Sequence, residues 1–162
     1  MKSFIFKLVK SIIVIGLLLK LSISYGGETL MSTAETKAFI EEVFNNVLED
    51  TNATERAYEK YFSKDYIQRV DGKVLNYSDF VKHMQAQKAV LKSLKITFKY
   101  IIVEGDKIAT VHIVDGVKKD GGIIEAQVNA VFQIKNKKII LCDELTRMIK
   151  GAKSDADLGS RH

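Results

Sequence analysis

The stretch IILCDELTRMI, residues 139–149, decides the fold and raises the main question about function. Its length and its apolar residues are typical of a buried β-strand. Two neighbouring carboxylates, Asp143 and Glu144, lie in its middle. Because neighbouring side chains on a strand point to opposite faces, one of these acids must face the protein interior. Which one does so depends on how this strand pairs with the rest of the chain.

Three other stretches with an alternating apolar pattern precede this strand. Together the four predicted strands cover residues 95–104, 107–117, 122–134 and 138–149. Each junction carries a two-residue turn signal: Gly105-Asp106, Asp120-Gly121 and Asn136-Lys137. Such signals favour tight hairpin loops, so the four strands predict an antiparallel meander.

The chain ahead of the sheet is predicted to be helical in three places. Residues 33–50, 51–62 and 77–94 carry apolar side chains at helical spacing. Residues 64–77 are predicted to be short and irregular, with a turn at Asp71-Gly72. Helices followed by antiparallel strands predict an α+β fold, in which the helices cover the apolar face of the sheet.

Two-residue loops determine which residues lie opposite each other across the predicted sheet. One row then contains Tyr100, Val111, Ala130 and Asp143, on the more apolar face. The other row contains Lys99, His112, Asn129 and Glu144. Since the apolar face receives the helices, Asp143 is predicted to point inward and Glu144 outward. A single bulge, for example at Gly121-Gly122, would exchange the faces beyond it.

An inward carboxylate needs a partner or a raised pKa, because burying a charge is costly. Beside the small residues Ala126 and Ala130, Asp143 would have room for water or a ligand. That setting suits a general acid or base. The alternative is a structural acid, bound to Arg147 or to a tyrosine hydroxyl, that carries out no chemistry.

The composition excludes several classes of protein. The formal charge is +5, but residues 1–30 hold four lysines and one glutamate, a net of +3, which leaves +2 for the remainder. That small, mixed charge argues against nucleic-acid binding. The single cysteine, Cys142, excludes an internal disulfide and a clustered thiolate metal site. Glycine-rich phosphate loops, nucleophile elbows and paired-histidine zinc motifs do not occur, so neither a cofactor nor a metal is expected.

The first residues have the layout of an export signal. A basic start and the apolar run SIIVIGLLL predict a signal peptide over residues 1–27, with small residues before Tyr25 for cleavage. The protein would then be exported or periplasmic, with no stable membrane span after processing. Alternatively, translation starts at Met31 and the protein is cytoplasmic. In both cases the domain is expected to cover residues 31–150, with a polar tail over 151–162.

Four stretches carry a resemblance to a known family. They are YFSKDYIQRVDGKVLNYSDFVKHM, FKYIIVEGDKIATVHIV, VFQIKNKKIILCDEL and the ending DLGSR. With the order of helices and strands, they make the chain similar to the SnoaL-like group of the nuclear transport factor 2-like superfamily, over about residues 33–160. The resemblance implies a cone of three N-terminal helices packed on a curved, mostly antiparallel sheet, with a pocket between them.

The resemblance also implies a range of activities. Some members are polyketide cyclases, others are isomerases, hydrolases or dehydratases, and many only bind a ligand or a partner. Characterised members often use an acid on the concave face, which Asp143 matches by position. Many relatives have a histidine three residues after an aspartate-tyrosine pair, where this chain has Arg69 in DYIQR. Arg69 would then attract an anionic ligand or lie in solvent.

Three further residues are candidates for the pocket wall. Tyr66 and Tyr100 would orient a ligand or Asp143 through their hydroxyls, or else belong to an aromatic core. His83 is at the edge of the buried stripe of the third helix, either at the cavity mouth or on the surface. On the outer face, a second copy of the chain is expected to contact the row of His112, Asn129 and Glu144, which would form a homodimer.

Two functional hypotheses follow. In the first, a small organic ligand undergoes cofactor-free acid–base chemistry, such as cyclisation, isomerisation or hydration, with Asp143 as the proton shuttle. Tyr66, Tyr100 and His83 would position that ligand. In the second, the domain is a non-enzymatic module that binds a ligand or a partner through the same pocket or the outer face.

Overall fold

The computed structural model describes residues 31–155 and 157. The predicted signal peptide and part of the predicted tail lie outside the described residues. The α-helices are α1 (Thr33–Val43), α2 (Glu55–Tyr61) and α3 (Tyr77–Val90). The strands are β1 (Phe62–Val70), β2 (Lys73–Asn76), β3 (Leu91–Glu104), β4 (Lys107–Lys118), β5 (Ile123–Lys135) and β6 (Lys138–Lys150). This arrangement confirms the predicted α+β cone.

The first helix begins where the sequence offers a cap. Ser32 Oγ accepts a hydrogen bond from the backbone N–H of Glu35 at 3.3 Å, and Glu35 Oε2 accepts one from Ser32 N at 2.8 Å. This reciprocal pair satisfies two N–H groups that the helix itself leaves unpaired. α1 continues as a π-helical segment over Phe44–Glu49, which supplies side chains to the cavity described below. Among the described residues, no helix is both long and apolar enough to cross a membrane.

The segment predicted to be irregular, residues 64–77, contains most of β1 and all of β2, so the prediction of four strands was wrong. The strands of the sheet follow the order β2-β1-β6-β5-β4-β3, in which only β1 and β6 are parallel. The predicted turn at Asp71-Gly72 joins β1 to β2, with φ of +50° and +83°. Exposed charged residues, Lys64, Asp65 and Arg69, hide the strand pattern of β1.

The predicted register between β5 and β6 is wrong by one residue. Ile134 lies opposite Ile139, as the two-residue loop requires, but Gln133 lies opposite Leu141. The extra residue, Ile140, is a β-bulge, which leaves one residue of a strand without an opposite partner. The side chains of residues 141–148 therefore lie on the other face from the one predicted. Ala130 is opposite Glu144, and Val131 is opposite Asp143.

The loop between β4 and β5 is one residue longer than predicted. Lys118 N donates to Gly122 O at 2.8 Å, so three residues lie between them. The third, Gly121, has φ +88°, a left-handed conformation that glycine adopts at little steric cost. His112 consequently pairs with Val128 and lies on the concave face of the sheet.

Candidate functional site

A cavity of about 120 Å³ lies between the concave face of the sheet and the helices. Most of its lining side chains are aliphatic or aromatic. The polar ones are Tyr66, Gln68, His83, Gln87, His112, Cys142, Glu144 and Thr146. Within the described residues, the wall includes no lysine or arginine, and no group of three or more potential metal ligands is found. The wall therefore combines a mainly apolar surface with one acid and several other hydrogen-bonding groups.

Glu144 is the acid of this wall. Gln68 Nε2 donates to its Oε1 at 2.7 Å, and the Cys142 thiol lies 3.6 Å from its Oε2. Removal from water raises the pKa of the Glu144 carboxyl from 4.5 to about 7, against the hydrogen bond from Gln68. The value of about 7 also includes smaller upward contributions from the carboxylates of Asp71 and Asp143. A carboxyl balanced between its two forms near neutral pH can both accept and donate a proton.

Gln68 comes from β1, a strand that the sequence did not predict. Parallel pairing with β6 places Gln68 beside Cys142. Gln68 is 6% exposed, and within the part of the chain that the structure describes its buried Oε1 has no hydrogen-bond partner. Buried acceptors are rarely left in this state. The amide thus has one bonded end, at Glu144, and one unbonded end.

His112 lies on the cavity wall, although its side chain was predicted on the outer face. Its Nδ1 is 3.1 Å from Thr110 Oγ1, and its ring packs edge-on against Phe44 with centroids 5.0 Å apart. Burial lowers the pKa of His112 from 6.5 to about 4, so the imidazole is neutral near pH 7. A neutral imidazole offers one N–H donor and one acceptor. His112 is therefore a hydrogen-bonding group and not a cation.

Tyr66 lies on the cavity wall, next to Cys142. Both residues are buried, with 2% and 1% of their surfaces exposed. Burial raises the pKa of the Tyr66 hydroxyl and that of the Cys142 thiol well above their usual values. Both groups consequently keep their protons near neutral pH. Whether Tyr66 touches a ligand stays a prediction.

His83, on α3, also lies on the cavity wall. It is 2% exposed, because the buried side of α3 includes it together with Phe80 and Met84. The surface position that the sequence left open is therefore wrong. Gln87 lies one turn further along α3 and lines the same cavity. A ligand-positioning role for His83 stays a prediction.

Three predicted site residues lie outside the cavity. Asp143 does not point inward: its side chain is 55% exposed, and its carboxylate is 3.5 Å from the guanidinium of Arg69. Arg69 therefore lies on the outer face as well. Tyr100, which pairs with Val111, is 64% exposed. The bulge at Ile140 explains the error for Asp143, and the longer β4–β5 loop explains it for Tyr100.

The predicted outer row is divided between the two faces. His112 and Glu144 line the cavity, whereas Asn129 is exposed on the outer face. The sequence therefore missed Glu144, His112 and Gln68 as cavity residues. The local pattern of β6 offered no signal for the bulge, because residues 139–142 are all apolar. In the structure, Ile139 and Cys142 are both buried, with 0% and 1% exposure, because the bulge at Ile140 brings both of them to the concave face.

The fold and the cavity define a class of protein: an α+β cone that encloses a mainly apolar cavity with an acid on its concave wall. No family model matches the chain. An uncharacterised protein of Schizosaccharomyces pombe is 32% identical over 126 residues, which cover 78% of this chain and 96% of that protein. The chain belongs to the family of this yeast protein, and its fold is that of SnoaL-like members of the nuclear transport factor 2-like superfamily.

Solved structures with the same fold are more distant in sequence. AclR, a proposed hydroxylase from Streptomyces galilaeus, has a TM-score of 0.63 and 18% identity, covering 81% of this chain and 89% of that one. A proposed SnoaL-like polyketide cyclase from a Jannaschia species has a TM-score of 0.61 and 11% identity, with coverages of 74% and 91%. An epoxide hydrolase from M. tuberculosis has a TM-score of 0.59 and 12% identity, with coverages of 70% and 84%.

Proposed function

We propose that this protein binds a small, uncharged organic molecule in its cavity and transfers protons on it, with Glu144 as acid and base. The observation that carries the proposal is that the Glu144 carboxyl, on a mainly apolar wall, has a pKa of about 7. Perturbed pKa values of this kind are common where a side chain must gain and lose a proton in each cycle. Glu144 thus takes the role that the sequence assigned to Asp143.

The size and charge of the cavity define the ligand class. A cavity of about 150 Å³ lined by apolar side chains holds benzene, so about 120 Å³ suits a single ring or a short branched chain. An anionic ligand would lose its hydration and find no lysine or arginine on the described wall. The predicted attraction of an anion by Arg69 has no basis, because Arg69 is paired with Asp143 on the other face.

The simplest reaction for this site is proton abstraction next to a carbonyl group. The Glu144 carboxylate would take the proton, the C–H bond would break, and its electron pair would move towards the carbonyl oxygen. In a β,γ-unsaturated carbonyl compound, return of the proton to the γ-carbon moves the double bond to the α,β position and completes an isomerisation. Attack of the enolate carbon on a second carbonyl of the same molecule, with protonation of the new alkoxide by Glu144, completes a cyclisation. The fold is also found in a proposed polyketide cyclase and an epoxide hydrolase.

Proton exchange in D₂O tests the proposal without knowledge of the natural substrate. A panel of small cyclic and branched ketones is incubated with the protein, and loss of the α-proton signal is followed by ¹H NMR. We expect exchange for at least one compound, and a loss of about 10²–10⁴-fold in Glu144→Gln. The matched control, Asp143→Asn, removes the neighbouring carboxylate and retains the rate. Binding with equal slow exchange in all three proteins would identify a binding module and overturn the enzymatic proposal.

We also propose a homodimer, through residues other than the predicted row. An outer patch, consisting of Tyr100, Ile102, Val131 and Leu145, crosses the convex face with exposures between 44% and 66%. Contiguous exposed apolar residues of this kind often mark an interface. Light scattering should find a dimer that Leu145→Glu converts to a monomer, whereas Val74→Glu on β2, outside the patch, should not. A monomeric unmodified protein would contradict this proposal.

A further inference from the structure

We propose that Gln68 is the positioning residue for Glu144, because its side-chain amide can hold the carboxyl group in both of its protonation states. The inference rests on the proposed proton transfer by Glu144 and goes beyond it. A proton carrier must be held in the same place before and after it changes charge. The Gln68 amide, which presents a donor at one corner and an acceptor at the other, is able to do so.

Gln68 and Glu144 are in direct contact through their side chains. With the carboxylate ionised, Gln68 Nε2 donates to Glu144 Oε1 at 2.7 Å, within the range of charge-assisted hydrogen bonds. With the carboxyl protonated, its O–H needs an acceptor. A half-turn of the amide brings Gln68 Oε1 to the position of Nε2 and supplies that acceptor. The same two residues then remain hydrogen-bonded, with Glu144 as the donor and Gln68 as the acceptor.

The Gln68 amide has one end, Oε1, that makes no hydrogen bond to the described residues. That atom is buried, and Gln68 as a whole is 6% exposed. A second hydrogen bond at that atom would fix the amide in one orientation. Because that bond is absent, each orientation makes one hydrogen bond, to Glu144, and neither is tied to the surrounding protein. An unpaired buried acceptor lowers the stability of the fold. In Gln68 the missing hydrogen bond has a function, because it leaves the side-chain amide able to turn.

Among the described residues, Glu144 has few other side-chain contacts that could stabilise its charge. The Cys142 thiol is a weak donor at 3.6 Å, and its own pKa is raised. Asp71 in the β1–β2 turn and Asp143 on β6 disfavour the ionised form. The groups on the wall from other elements are Tyr66 on β1, His83 on α3 and His112 on β4, of which His112 is neutral near pH 7. Gln68 is therefore the main group that stabilises the carboxylate.

The backbone keeps the two side chains in register. Asp71 N donates to the Glu144 carbonyl at 3.2 Å, and Asp71 Oδ1 accepts from Thr146 N at 2.7 Å. The turn after β1 is thus bound to β6 at the reactive acid itself and at Thr146, two residues further along. This attachment maintains the parallel pairing that places Gln68 opposite Cys142, within hydrogen-bonding reach of Glu144. A substitution at Gln68 should consequently alter the amide contact without moving the strands.

The first test uses Gln68→Met, which retains most of the side-chain volume and removes both hydrogen-bonding atoms. The midpoint of the Glu144 carboxyl, followed by ¹³C NMR, should rise by about one pH unit. α-Proton exchange should fall about tenfold at pH 6–7, mainly through kcat, since less of the acid is ionised. Gln127→Met is the matched control on the outer face, where Gln127 accepts from Lys99, and both readouts should stay unchanged. An unchanged midpoint in Gln68→Met would overturn the proposal.

The second test needs no variant of Gln68 and therefore does not depend on its folding. The ¹⁵N and ¹H signals of the Gln68 side-chain NH₂ should shift with pH at the same midpoint as the Glu144 carboxyl. The shift should vanish in Glu144→Gln and persist in Asp143→Asn. An NH₂ signal that ignores the titration of Glu144 would overturn the role of Gln68 and leave the proposed proton transfer standing. Exchange that is absent from the unmodified protein would instead overturn the proton transfer.

Discussion

The two faces of the sheet receive side chains from the same strands, and Asp143 and Glu144 show what separates them. Asp143, on the convex face, is 55% exposed and has a guanidinium 3.5 Å away. Glu144, on the concave face, has a neutral amide as its main partner, and burial raises its pKa to about 7. Both are carboxylates, one peptide bond apart. Their difference in chemistry therefore comes from strand parity alone, which a single bulged residue sets.

The largest effect should come from truncating one apolar side chain on each face. Phe132 on β5 is 6% exposed and packs against Phe44, with ring centroids 5.8 Å apart, whereas its neighbour Val131 is 44% exposed. We expect Phe132→Ala to lower the free energy of unfolding by about 3–5 kcal/mol. Val131→Ala should lower it by less than about 1 kcal/mol. Urea unfolding measures both, and equal losses would contradict the assignment of faces.

The next effect concerns stability as a function of pH. The pKa of Glu144 is about 7 in the folded protein against a usual 4.5, so the folded state binds more protons between these values. Stability from this group therefore falls as the pH rises from 4.5 to 7, by about 2–3 kcal/mol. His112, with a pKa of about 4 against 6.5, acts in the opposite sense, and its contribution rises as the pH rises from 4 to 6.5.

These two contributions nearly cancel between pH 4.5 and 6.5, and a variant separates them. Glu144→Gln should gain about 2–3 kcal/mol in unfolding free energy relative to the unmodified protein as the pH rises from 4.5 to 7. Asp143→Asn should show no comparable gain over the same range. Urea titrations at several pH values provide the measurement. A constant difference between Glu144→Gln and the unmodified protein would mean that Glu144 is not desolvated.

The smallest effect should come from the ion pair on the convex face. Arg69 and Asp143 have side chains 56% and 55% exposed, and solvent screens their attraction. A double-mutant cycle with Arg69→Ala and Asp143→Ala should give a coupling of about 0–1 kcal/mol, which decreases as salt is added. A coupling above about 2 kcal/mol would place this pair in a buried setting and remove the contrast with Glu144.

Much of the fold was predictable because it follows from local patterns. Period-two alternation marked the four long strands, and the turn at Asn136-Lys137 has the positive φ angles of a tight hairpin, +52° and +57°. β1 and β2 were not predictable in the same way, because β2 has only four residues and β1 alternates regularly only from Tyr66 onward. β1 depends on pairing with β6, about 75 residues further along the chain, and β2 depends on pairing with β1.

The candidate site was predictable only in part. Tyr66 and His83 both lie on the cavity wall. The aromatic neighbours of Tyr66 indicated its burial, and the apolar stripe of the third helix indicated that of His83. The choice between Asp143 and Glu144 was wrong, because the register predicted from loop length does not include the extra residue of a bulge. Ile140 is apolar like its neighbours, so nothing in the local pattern marks it as the extra residue. Gln68 was missed because its strand was missed.

The most direct measurement is the pH titration of the Glu144 carboxyl by ¹³C NMR, assigned by its loss in Glu144→Gln. The account predicts a midpoint near pH 7, retained in Asp143→Asn, since the shift comes mainly from burial in the cavity. A midpoint near the usual 4.5 would contradict it, because Glu144 would then lie in water and the concave wall would have no proton carrier.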